Sequence, residues 1–319
     1  VLLHHAMGDV DGNVGSWGFA RGGMGSVAAA LSSSFQSLGG EIRTNSEVNQ
    51  IVVDGKTAKG VQLVSGEIIR ANAVVSNLDA KRTFLKLIDD KKLPSELSEK
   101  ARNFKIRGSS GKVNIALDGM PIFSALPKKS PLTLGHMHFS DTLERLERAY
   151  DDWKDDRWSA DPYVDMVIPT QYDPTMAPPG KHMMSVFVQY CPVSPEGGWD
   201  EKKKKEFGNT VINQIADYSP NFKDLILHAE IRTPHEIEKE VGLTEGNIFQ
   251  GELTLDQLMF NRPFPGYAQY RGPFKKMYMC SSSNHPGGGV MGAPGANAAR
   301  EILRDLKLQN TTPEDFGDD

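Results

Sequence analysis

The residues whose spacing most strongly suggests chemistry are five glycines near the end of the chain. They are Gly287, Gly288, Gly289, Gly292 and Gly295, and a helical pattern follows them directly. Bare backbone lets peptide N–H groups approach a flat or anionic ligand closely, and the start of the next helix adds partial positive charge. A solvated turn that happens to be rich in glycine is the alternative. The stretch therefore predicts a ligand loop, with a simple turn as its competitor.

Residues 287–292 also satisfy the G-x-G-x-x-G pattern of a dinucleotide site. That fingerprint needs its first glycine directly after a strand, and an acidic residue about 20 positions later at the end of a second strand. Here residues 281–286 separate the glycines from the preceding strand pattern, and Pro294 interrupts an early helix start. No Gly-Lys-Ser/Thr sequence occurs, which excludes a Walker A loop. Neither nucleotide motif explains these glycines.

Histidines are the other residues that could carry chemistry. His285 precedes the glycines and is a candidate proton donor, with turn formation as its default role. His136 and His138 flank Met137, so in a strand both would point to one face. Two imidazoles without a third ligand predict no metal site, and we interpret them as structural or as part of a substrate wall. No Ser-His-Asp or paired-carboxylate spacing supports a hydrolase.

Three further residues before the final strand pattern could line a substrate channel or simply pack at the surface: Tyr267, Tyr270 and Arg271.

Composition limits the function classes. The 319 residues carry a net charge of −5, which argues against nucleic-acid binding. Cys191 and Cys280 lie far apart, without the spacing of a thiol-disulfide motif. No run of about 18 apolar residues predicts a membrane-spanning helix. The chain opens with Val1-Leu2-Leu3 and no initiator Met, which we interpret as mid-protein sequence.

The first part of the chain has the pattern of an α/β layer. A helix with small residues is predicted at 24–38, and Gly39-Gly40 end it. Asp54-Gly55 marks a tight turn within a meander. A short apolar run that ends in polar residues then resembles a buried strand whose end faces a ligand. The predicted strands are 41–44, 48–53, 58–64, 67–70 and 73–76.

The middle of the chain has a different pattern, that of an antiparallel sheet with helices laid on it. Alternating and apolar strands are predicted at 112–117, 165–169 and 183–190, and helices at 94–104, 141–153, 200–218 and 234–240. The α/β pattern then returns with a strand at 277–280 and a helix at 294–306, so we expect 15–77 and 275–308 to form one domain. The last residues, "TTPEDFGDD", are acidic and predicted to be disordered.

Two quoted segments carry a family resemblance. "HPGGGVMGAPGANAAREIL" and "GGMGSVAAALSSSFQSLGGEIRTNSEVNQI" resemble flavin-contacting segments of the phytoene desaturase and retinol saturase group of FAD-dependent oxidoreductases. The resemblance covers nearly the whole chain, but the group's N-terminal βαβ unit is absent. It implies a partial Rossmann-like FAD-binding domain with an inserted antiparallel α+β substrate domain. The expected bounds are 1–79 and 269–308 for the FAD-binding domain, 80–268 for the substrate domain, and 309–319 for the tail.

The resemblance also implies roles for individual residues. One glycine pair and its neighbour would approach the flavin ring, the backbone of Val48 would meet the adenine, and Asn77 would line the adenosine side. The later glycine loop would lie along the ribityl chain and pyrimidine edge, with the 294–306 helix aimed at the flavin O2. The expected FAD-binding residues are Gly22, Gly23, Met24, Val48, Asn77, Gly288, Gly289, Val290 and Met291.

The function that the resemblance implies is an FAD-dependent oxidoreductase that transfers a hydride or two electrons between flavin and an apolar substrate, because the cofactor carries the difficult step. The chain alone is expected to be inactive and to bind FAD weakly. A regulatory or scaffold protein that uses the substrate domain to bind a protein partner is the alternative. The resemblance places the protein in the mitochondrial matrix if it is eukaryotic and in the cytoplasm if it is bacterial.

Overall fold

The chain divides into two compact units with different bounds from those expected. The computed structural model describes residues 9–16, 18–127, 130–139 and 142–307. Unit 1 comprises Val1–Ile42 and Gly108–Gly246, and unit 2 comprises Arg43–Arg107 and Asn247–Asp319. Residues 80–107 and 247–268 therefore belong to unit 2 rather than to the predicted substrate domain 80–268. Residues 1–42 belong to unit 1, so the expectation that all of 15–77 forms one domain with 275–308 holds only from residue 43 onward. The predicted tail 309–319 lies outside the described residues.

The described helices and strands follow the sequence periodicity closely. The helices are α1 (Gly25–Ser37), α2 (Ser95–Asn103), α3 (Leu143–Lys154), α4 (Glu201–Tyr218), α5 (Pro234–Glu236) and α6 (Ala293–Asp305), with π-helical segments at Arg82–Lys86 and Ile237–Val241. The strands are β1 (Asp9–Val10), β2 (Asn13–Val14), β3 (Val48–Asp54), β4 (Thr57–Leu63), β5 (Ile68–Arg70), β6 (Val74–Ser76), β7 (Ser110–Leu117), β8 (Met137–His138), β9 (Tyr163–Val167), β10 (His182–Gln189), β11 (Ile226–Arg232) and β12 (Met277–Met279). None of these helices is both long and apolar enough to cross a membrane.

Two predictions of local structure differ from the result. The strand expected at 41–44 does not form, because its residues are exposed and Asn45 turns the chain in the left-handed region (φ 53°). The sequence pattern also missed the two-residue strands β1, β2 and β8. It missed the longer β11 as well. Its register against β7 shifts between Ile226 and His228, and such a bulge interrupts the alternation by which a strand is recognised.

Unit 1 is built on a five-stranded antiparallel sheet in the order β11-β7-β10-β9-β8. Alternation along β7 and β10 gives the sheet one buried face, because successive side chains point to opposite sides. That face packs on α4, whose N-terminus is capped by Asp200 through a 2.7 Å bond from the Lys203 amide. The core residues include Val113, Ile115, Val186, Val188, Phe207, Val211 and Ile215.

Helix α1 of unit 1 contains no buried residue. Its apolar side chains repeat at helical spacing, yet Leu31 is 69% and Phe35 is 52% exposed. Gly40 ends the helix, and its amide donates to the Phe35 carbonyl at 2.9 Å. Most of the stability of a helix in a protein comes from packing of its apolar face, so this face is left without its usual support within the described residues.

Unit 2 contains a three-stranded antiparallel meander in the order β3-β4-β5. The predicted turn at Asp54-Gly55 joins its first two strands, and Gly55 has a positive φ of 54°. Gly60 is required for a different reason: a Cβ there would lie 2.0 Å from the Ile69 carbonyl oxygen on the neighbouring strand. The meander packs over a core that includes Ile51, Val53, Phe84, Leu97, Phe104, Phe264, Met277 and Met279.

A parallel pair of strands completes unit 2. Strand β12 pairs with β6 in the register Met277–Val74, Tyr278–Val75 and Met279–Ser76. The prediction that the strand near 277 shares a sheet with the strand near 74 is therefore confirmed. Parallel strands occur almost only in larger sheets covered on both faces, so a pair of three-residue strands is short for this type of sheet.

The last helix is fixed to unit 2 by charged pairs. Arg271 bonds to Asp305 at 2.7 Å and to Glu301 at 2.5 Å, and the Tyr278 hydroxyl donates to Asp305 at 3.1 Å. These contacts lower the pKa of Asp305, with the hydrogen bond from Arg271 as the largest cause. Arg271 therefore connects the segment before β12 to the last helix, and a place in a substrate channel stays a prediction.

Candidate functional site

The candidate site lies where the two parallel strands of unit 2 end. The Cys280 amide donates to the Ser76 carbonyl at 2.9 Å, so the residues after β12 run beside Asn77. Ligands of parallel sheets bind in the region beyond the carboxyl ends of the strands. Asn77 is exposed at this edge, where the sequence pattern placed it.

Gln250 joins the two strand ends, a role that no sequence pattern predicted. Its side-chain amide donates to the Asn77 carbonyl at 3.4 Å and accepts from the Ser282 amide at 3.0 Å. Its own carbonyl accepts from the Ser283 hydroxyl at 2.5 Å, and that hydroxyl accepts from the Ala80 amide. The start of the glycine-rich loop is thereby held at a fixed position beside β6.

Arg262 is the second unpredicted anchor of the loop. Its side chain has no exposed surface, and its guanidinium donates twice to the Ser282 carbonyl, at 2.7 and 2.9 Å. Its other acceptors are the carbonyls of Phe249, Gly251, Glu252 and Gln257. Burial lowers the pKa of Arg262 to about 10, so the group stays charged at neutral pH.

The first glycines of the loop are required by the protein itself. A Cβ on Gly288 would lie 2.5 Å from Phe249 Cδ1 and 3.0 Å from Phe249 Cα, so the close approach at this position is between two parts of the chain. A side chain at Gly288 would therefore meet the protein itself, whether or not a ligand lies beside the loop. Gly289 has a φ of 140°, which side chains rarely adopt, so a substitution there strains the backbone whatever binds.

The later part of the loop presents free donors. Among the described residues, the backbone amides from Gly288 to Ala293 make no hydrogen bond to another residue. Val290 is 78% and Met291 is 43% exposed, and α6 begins directly after them without an acidic residue in its first turn. Free amides beside a helix N-terminus suit the carbonyl or phosphate oxygens of a ligand.

Asn284 differs from these accessible groups. Its side-chain oxygen and nitrogen are both buried and have no hydrogen-bond partner among the described residues. Because the residue has no exposed surface, a ligand on the loop surface has no route to it. Asn284 therefore belongs to the interior of the loop rather than to its binding surface.

His285 is exposed, and its backbone has a structural role. The Tyr270 hydroxyl donates to the His285 carbonyl at 2.8 Å and accepts from the Asn297 side chain of α6 at 2.9 Å. These bonds connect the loop to the helix that follows it. Tyr270 thus packs between the loop and α6. The role of the His285 imidazole as a proton donor stays a prediction.

The remaining expected FAD residues are distributed between the units. Gly22, Gly23 and Met24 lie in unit 1, whereas Val48 begins β3 of unit 2. Gly22 and Gly23 both have positive φ, and the Gly22 amide donates to Asp173 at 2.6 Å. Bonds from the Thr175 hydroxyl and then the Gly22 amide lower the pKa of Asp173. The Gly22 amide is thus already engaged, while Met24 is exposed.

Unit 1 contains an apolar cavity of about 640 Å³. Most of its wall is apolar, and Thr133, Gln171 and His182 supply polar atoms. Those atoms are largely paired with each other or with neighbours, since Thr133 bonds to Gln171 at 3.0 Å and His182 to Thr170 at 2.9 Å. A cavity with an apolar wall and few polar groups suits an apolar ligand.

A lysine lies on the face of the unit 1 sheet opposite α4. Lys112 Nζ donates to Ser185 Oγ at 2.6 Å, and burial lowers the pKa of Lys112 while the nearby Asp165 opposes that shift. Asp165 in turn bonds to His136 at 3.0 Å. Lys112, Asp165 and His136 therefore lie close together on this face of the sheet.

The same contact explains His136, which the sequence left as a structural or wall residue. His136 is engaged by Asp165, and His138 lies beside the Tyr163 ring at 6.0 Å. Among the described residues, no group of three or more His, Cys, Asp or Glu side chains is placed to hold a metal ion.

Comparison with known proteins identifies the family. Residues 3–303 match the model of the flavin containing amine oxidoreductases, and the chain belongs to that family. FAD is the cofactor of this family. The chain is 39% identical over 317 residues to pyridine nucleotide-disulfide oxidoreductase domain-containing protein 2 of Rattus norvegicus, covering 96% of this chain and 54% of that protein.

More distant relatives agree with this family. The chain is 25% identical to the lycopene-forming phytoene desaturase of Paracoccus sp., covering 92% of this chain and 56% of that protein. The resemblance to the phytoene desaturase group is thereby confirmed. An oxidoreductase from Methanosarcina mazei has the same fold at a TM-score of 0.56 and 18% identity, covering 89% of this chain and 55% of that structure. The chain spans about half the length of the curated relatives it matches.

The residues of the loop fit a flavin. The isoalloxazine ring carries carbonyl oxygens that accept hydrogen bonds. The loop offers free amides from Gly288 to Ala293, and its residues are exposed from Gly289 to Gly292. The partial positive charge at the start of α6 suits a flavin that gains negative charge on reduction. The exposed Val290 and Met291 add apolar contact surface beside these donors.

Proposed function

We propose that the protein is an FAD-dependent oxidoreductase that exchanges two electrons with an apolar substrate. The observation that carries this proposal is the set of free amides from Gly288 to Ala293, located beyond parallel strands in a chain of the flavin-containing family. The comparisons give no support to the alternative of a non-catalytic scaffold.

FAD, when bound, supplies the hydride or electron-pair chemistry, and the protein supplies binding and orientation. In our proposal, Gly288, Gly289, Val290 and Met291 line the flavin, and the free amides donate to its oxygens. Helix α6 stabilises the negative charge that reduction produces. Gly22, Gly23 and Met24 approach the ring, Val48 meets the adenine, and Asn77 lines the adenosine side. His285 is proposed as a candidate proton donor.

We further propose that unit 2 is the incomplete FAD-binding layer of a Rossmann-like domain, with its first βαβ unit supplied by residues before Val1. Two observations support this. The parallel sheet of unit 2 has two short strands, and the chain covers 54% of a relative. The chain 1–319 alone should then bind FAD more weakly than the protein expressed from its complete gene, and be inactive. Equal affinity would contradict this part of the proposal.

The substrate is proposed to be apolar and to lie on unit 1. The apolar cavity of about 640 Å³ supports this, as do relatives named for phytoene desaturation and prolycopene isomerisation. We also propose a protein partner that binds unit 1, and a location in the mitochondrial matrix for a eukaryotic protein or in the cytoplasm for a bacterial one.

A charge placed on the loop tests the proposed function. Val290→Asp puts a carboxylate among the free amides without entering the core, because Val290 is 78% exposed. Repulsion of the flavin oxygens should raise the Kd for FAD at least roughly tenfold, as one misplaced charge near a ligand commonly costs this much. The control Val241→Asp, at a 60% exposed position of unit 1, should leave it unchanged.

The measurement is a flavin absorbance titration of each apoprotein, accompanied by thermal unfolding. Lower FAD affinity with an unchanged Tm for Val290→Asp supports the proposal. Unchanged affinity would mean that the loop does not contact the flavin.

A further inference from the structure

Arg262 is unusual because it is a charged residue buried among neutral acceptors. Its guanidinium has five N–H donors, and five different main-chain carbonyls accept from them. No carboxylate of the described residues pairs with it. Buried charges in proteins are usually paired with an opposite charge, because burial removes their hydration. The carbonyl dipoles around Arg262 offset this loss of hydration only when every N–H of the guanidinium donates to one of them.

The five carbonyls belong to two separate segments. Four of them lie between Phe249 and Gln257, and the fifth is Ser282 at the start of the glycine-rich loop. The guanidinium therefore joins the two segments. Arg262 lies 20 residues before Ser282, and 5 to 13 residues after the four carbonyls of the first segment. Hydrogen bonds to a charged group are stronger than those between neutral groups, so the junction is stiff.

The glycines of the loop rest on the same segment. A Cβ on Gly287 would lie 3.1 Å from Leu253 Cδ2 and 3.5 Å from Arg262 Nε, and one on Gly288 would lie 2.5 Å from Phe249 Cδ1. The Phe249 amide is in turn held by Asn247 at 2.9 Å. Gly287 and Gly288 thus pack against the segment whose carbonyls accept from Arg262. The free amides follow directly after these glycines.

We propose that Arg262 is the positioning residue of the cofactor loop: it fixes residues 249–257 and Ser282 to each other so that the amides from Gly288 to Ala293 stay free and correctly placed. The inference rests on the proposed FAD-binding role of that loop. Lysine cannot replace it, because an ammonium has three donors and no planar fork, which leaves at least two buried carbonyls without a partner.

Hydrogen–deuterium exchange on the apoprotein expressed from the complete gene tests this without a cofactor. Arg262→Gln and Arg262→Lys should increase exchange in residues 281–287, where the Asn284 and Gly287 amides are bonded within the loop. Exchange in β7 and β10 of unit 1 should be unchanged. The control is Arg304→Gln, since Arg304 is 72% exposed and, among residues 9–307 that the structure describes, its ion pair is with Glu301 on its own helix.

A parallel flavin titration connects the loop to the cofactor. In both Arg262 variants the Kd for FAD should rise about tenfold or more, with the lysine variant less affected than the glutamine variant. The absorbance bands of the remaining bound flavin should lose their fine structure, because the ring is less rigidly held. A purely structural role would lower Tm and leave the Kd and the spectrum of the folded fraction unchanged.

The outcomes separate the two proposals. Faster exchange in 281–287 with weaker FAD binding supports the role of Arg262. Unchanged exchange in a folded Arg262→Gln protein overturns it, whatever the affinity. If Arg262→Gln does not fold, the lysine variant is decisive, and wild-type exchange and affinity in that variant overturn the inference. If the wild-type protein binds no FAD, the proposed function fails, while faster exchange in the variants still supports Arg262 as the residue that positions the loop.

Discussion

At the residue scale, the glycines of the loop have different functions although they look alike in the sequence. Gly288 is needed because Phe249 approaches it, Gly289 because of its backbone conformation, and Gly295 for neither reason, since nothing lies within 4 Å of a Cβ there. A sequence pattern identifies the group but cannot separate these causes, because they depend on contacts with residues far away in the chain.

These differences predict opposite effects of the same substitution. Gly288→Ala should lower the stability of the apoprotein by roughly 1–3 kcal/mol, the usual cost of overpacking, because the backbone of Phe249 cannot move away cheaply. Gly295→Ala should leave stability unchanged or raise it by about 0.5–1 kcal/mol, since alanine is favoured over glycine inside α6. Denaturant unfolding of both apoproteins checks this, and equal stabilities for the two variants would contradict it.

Lys112 allows a prediction about protonation. Burial lowers its pKa and Asp165 raises it, so its neutral fraction grows at a lower pH than for an ordinary lysine. Asp165→Asn should lower the pKa of Lys112 further, because the opposing charge is removed. The pKa of Lys112 can be followed by the pH dependence of its acetylation, measured by mass spectrometry. The extent of acetylation is normalised to the plateau of Lys112 itself, and the exposed Lys202 serves as reference. A midpoint that moves upward in Asp165→Asn would be inconsistent with this account.

Sequence reasoning succeeded where the signal is local and failed where it is not. The periodicity of the chain located each predicted helix and all but one predicted strand within two residues. The anchors of the site have no such signal. Arg262 reaches Ser282 across 20 residues, Gln250 reaches Asn77 across 173, and Asp173 reaches Gly22 across 151. A single polar residue in an irregular segment carries no spacing from which such a partner can be inferred.

At the element scale, helix α4 shows how a side-chain cap supports the fold. Helix α4 covers the buried face of the unit 1 sheet and begins at the Asp200 cap. Its residues Phe207, Val211 and Ile215 supply much of the core. Fraying of the first turn therefore affects packing on the sheet only if it extends toward these residues. The parallel pair β6–β12 depends instead on contacts between distant parts of the chain, because its two strands lie about 200 residues apart in the sequence.

The cap of α4 predicts a measurable effect on stability. Asp200→Ala should lower the free energy of unfolding by about 0.5–2 kcal/mol, because the Lys203 amide loses its acceptor and the helix dipole loses a favourable charge. Asp217→Ala, near the other end of the same helix, removes an unfavourable charge and should leave stability equal or slightly higher. Thermal unfolding distinguishes the two, and an undiminished Tm for Asp200→Ala would contradict the role of the cap.

At the scale of the whole molecule, the chain passes between the two units near residues 42–43, 107–108 and 246–247. The sequence pattern indicated an inserted antiparallel unit but placed its bounds at 80–268. The reason is that the patterns of the π-helical segment at Arg82–Lys86 and of α2 are compatible with either unit. Their buried side chains, Phe84 and Leu97 among them, pack in the core of unit 2. Only tertiary contacts decide to which unit such an element belongs.

The central claim is that the amides from Gly288 to Ala293 are the donors that receive the flavin. Hydrogen–deuterium exchange of the protein expressed from its complete gene, compared with and without FAD, tests it most directly, because those amides are free in the structure and exchange rapidly until a ligand accepts from them. We predict strong FAD-dependent protection in residues 288–293 and little change in the Asp54–Thr57 turn of unit 2. Tight FAD binding with no protection in 288–293 would contradict the account.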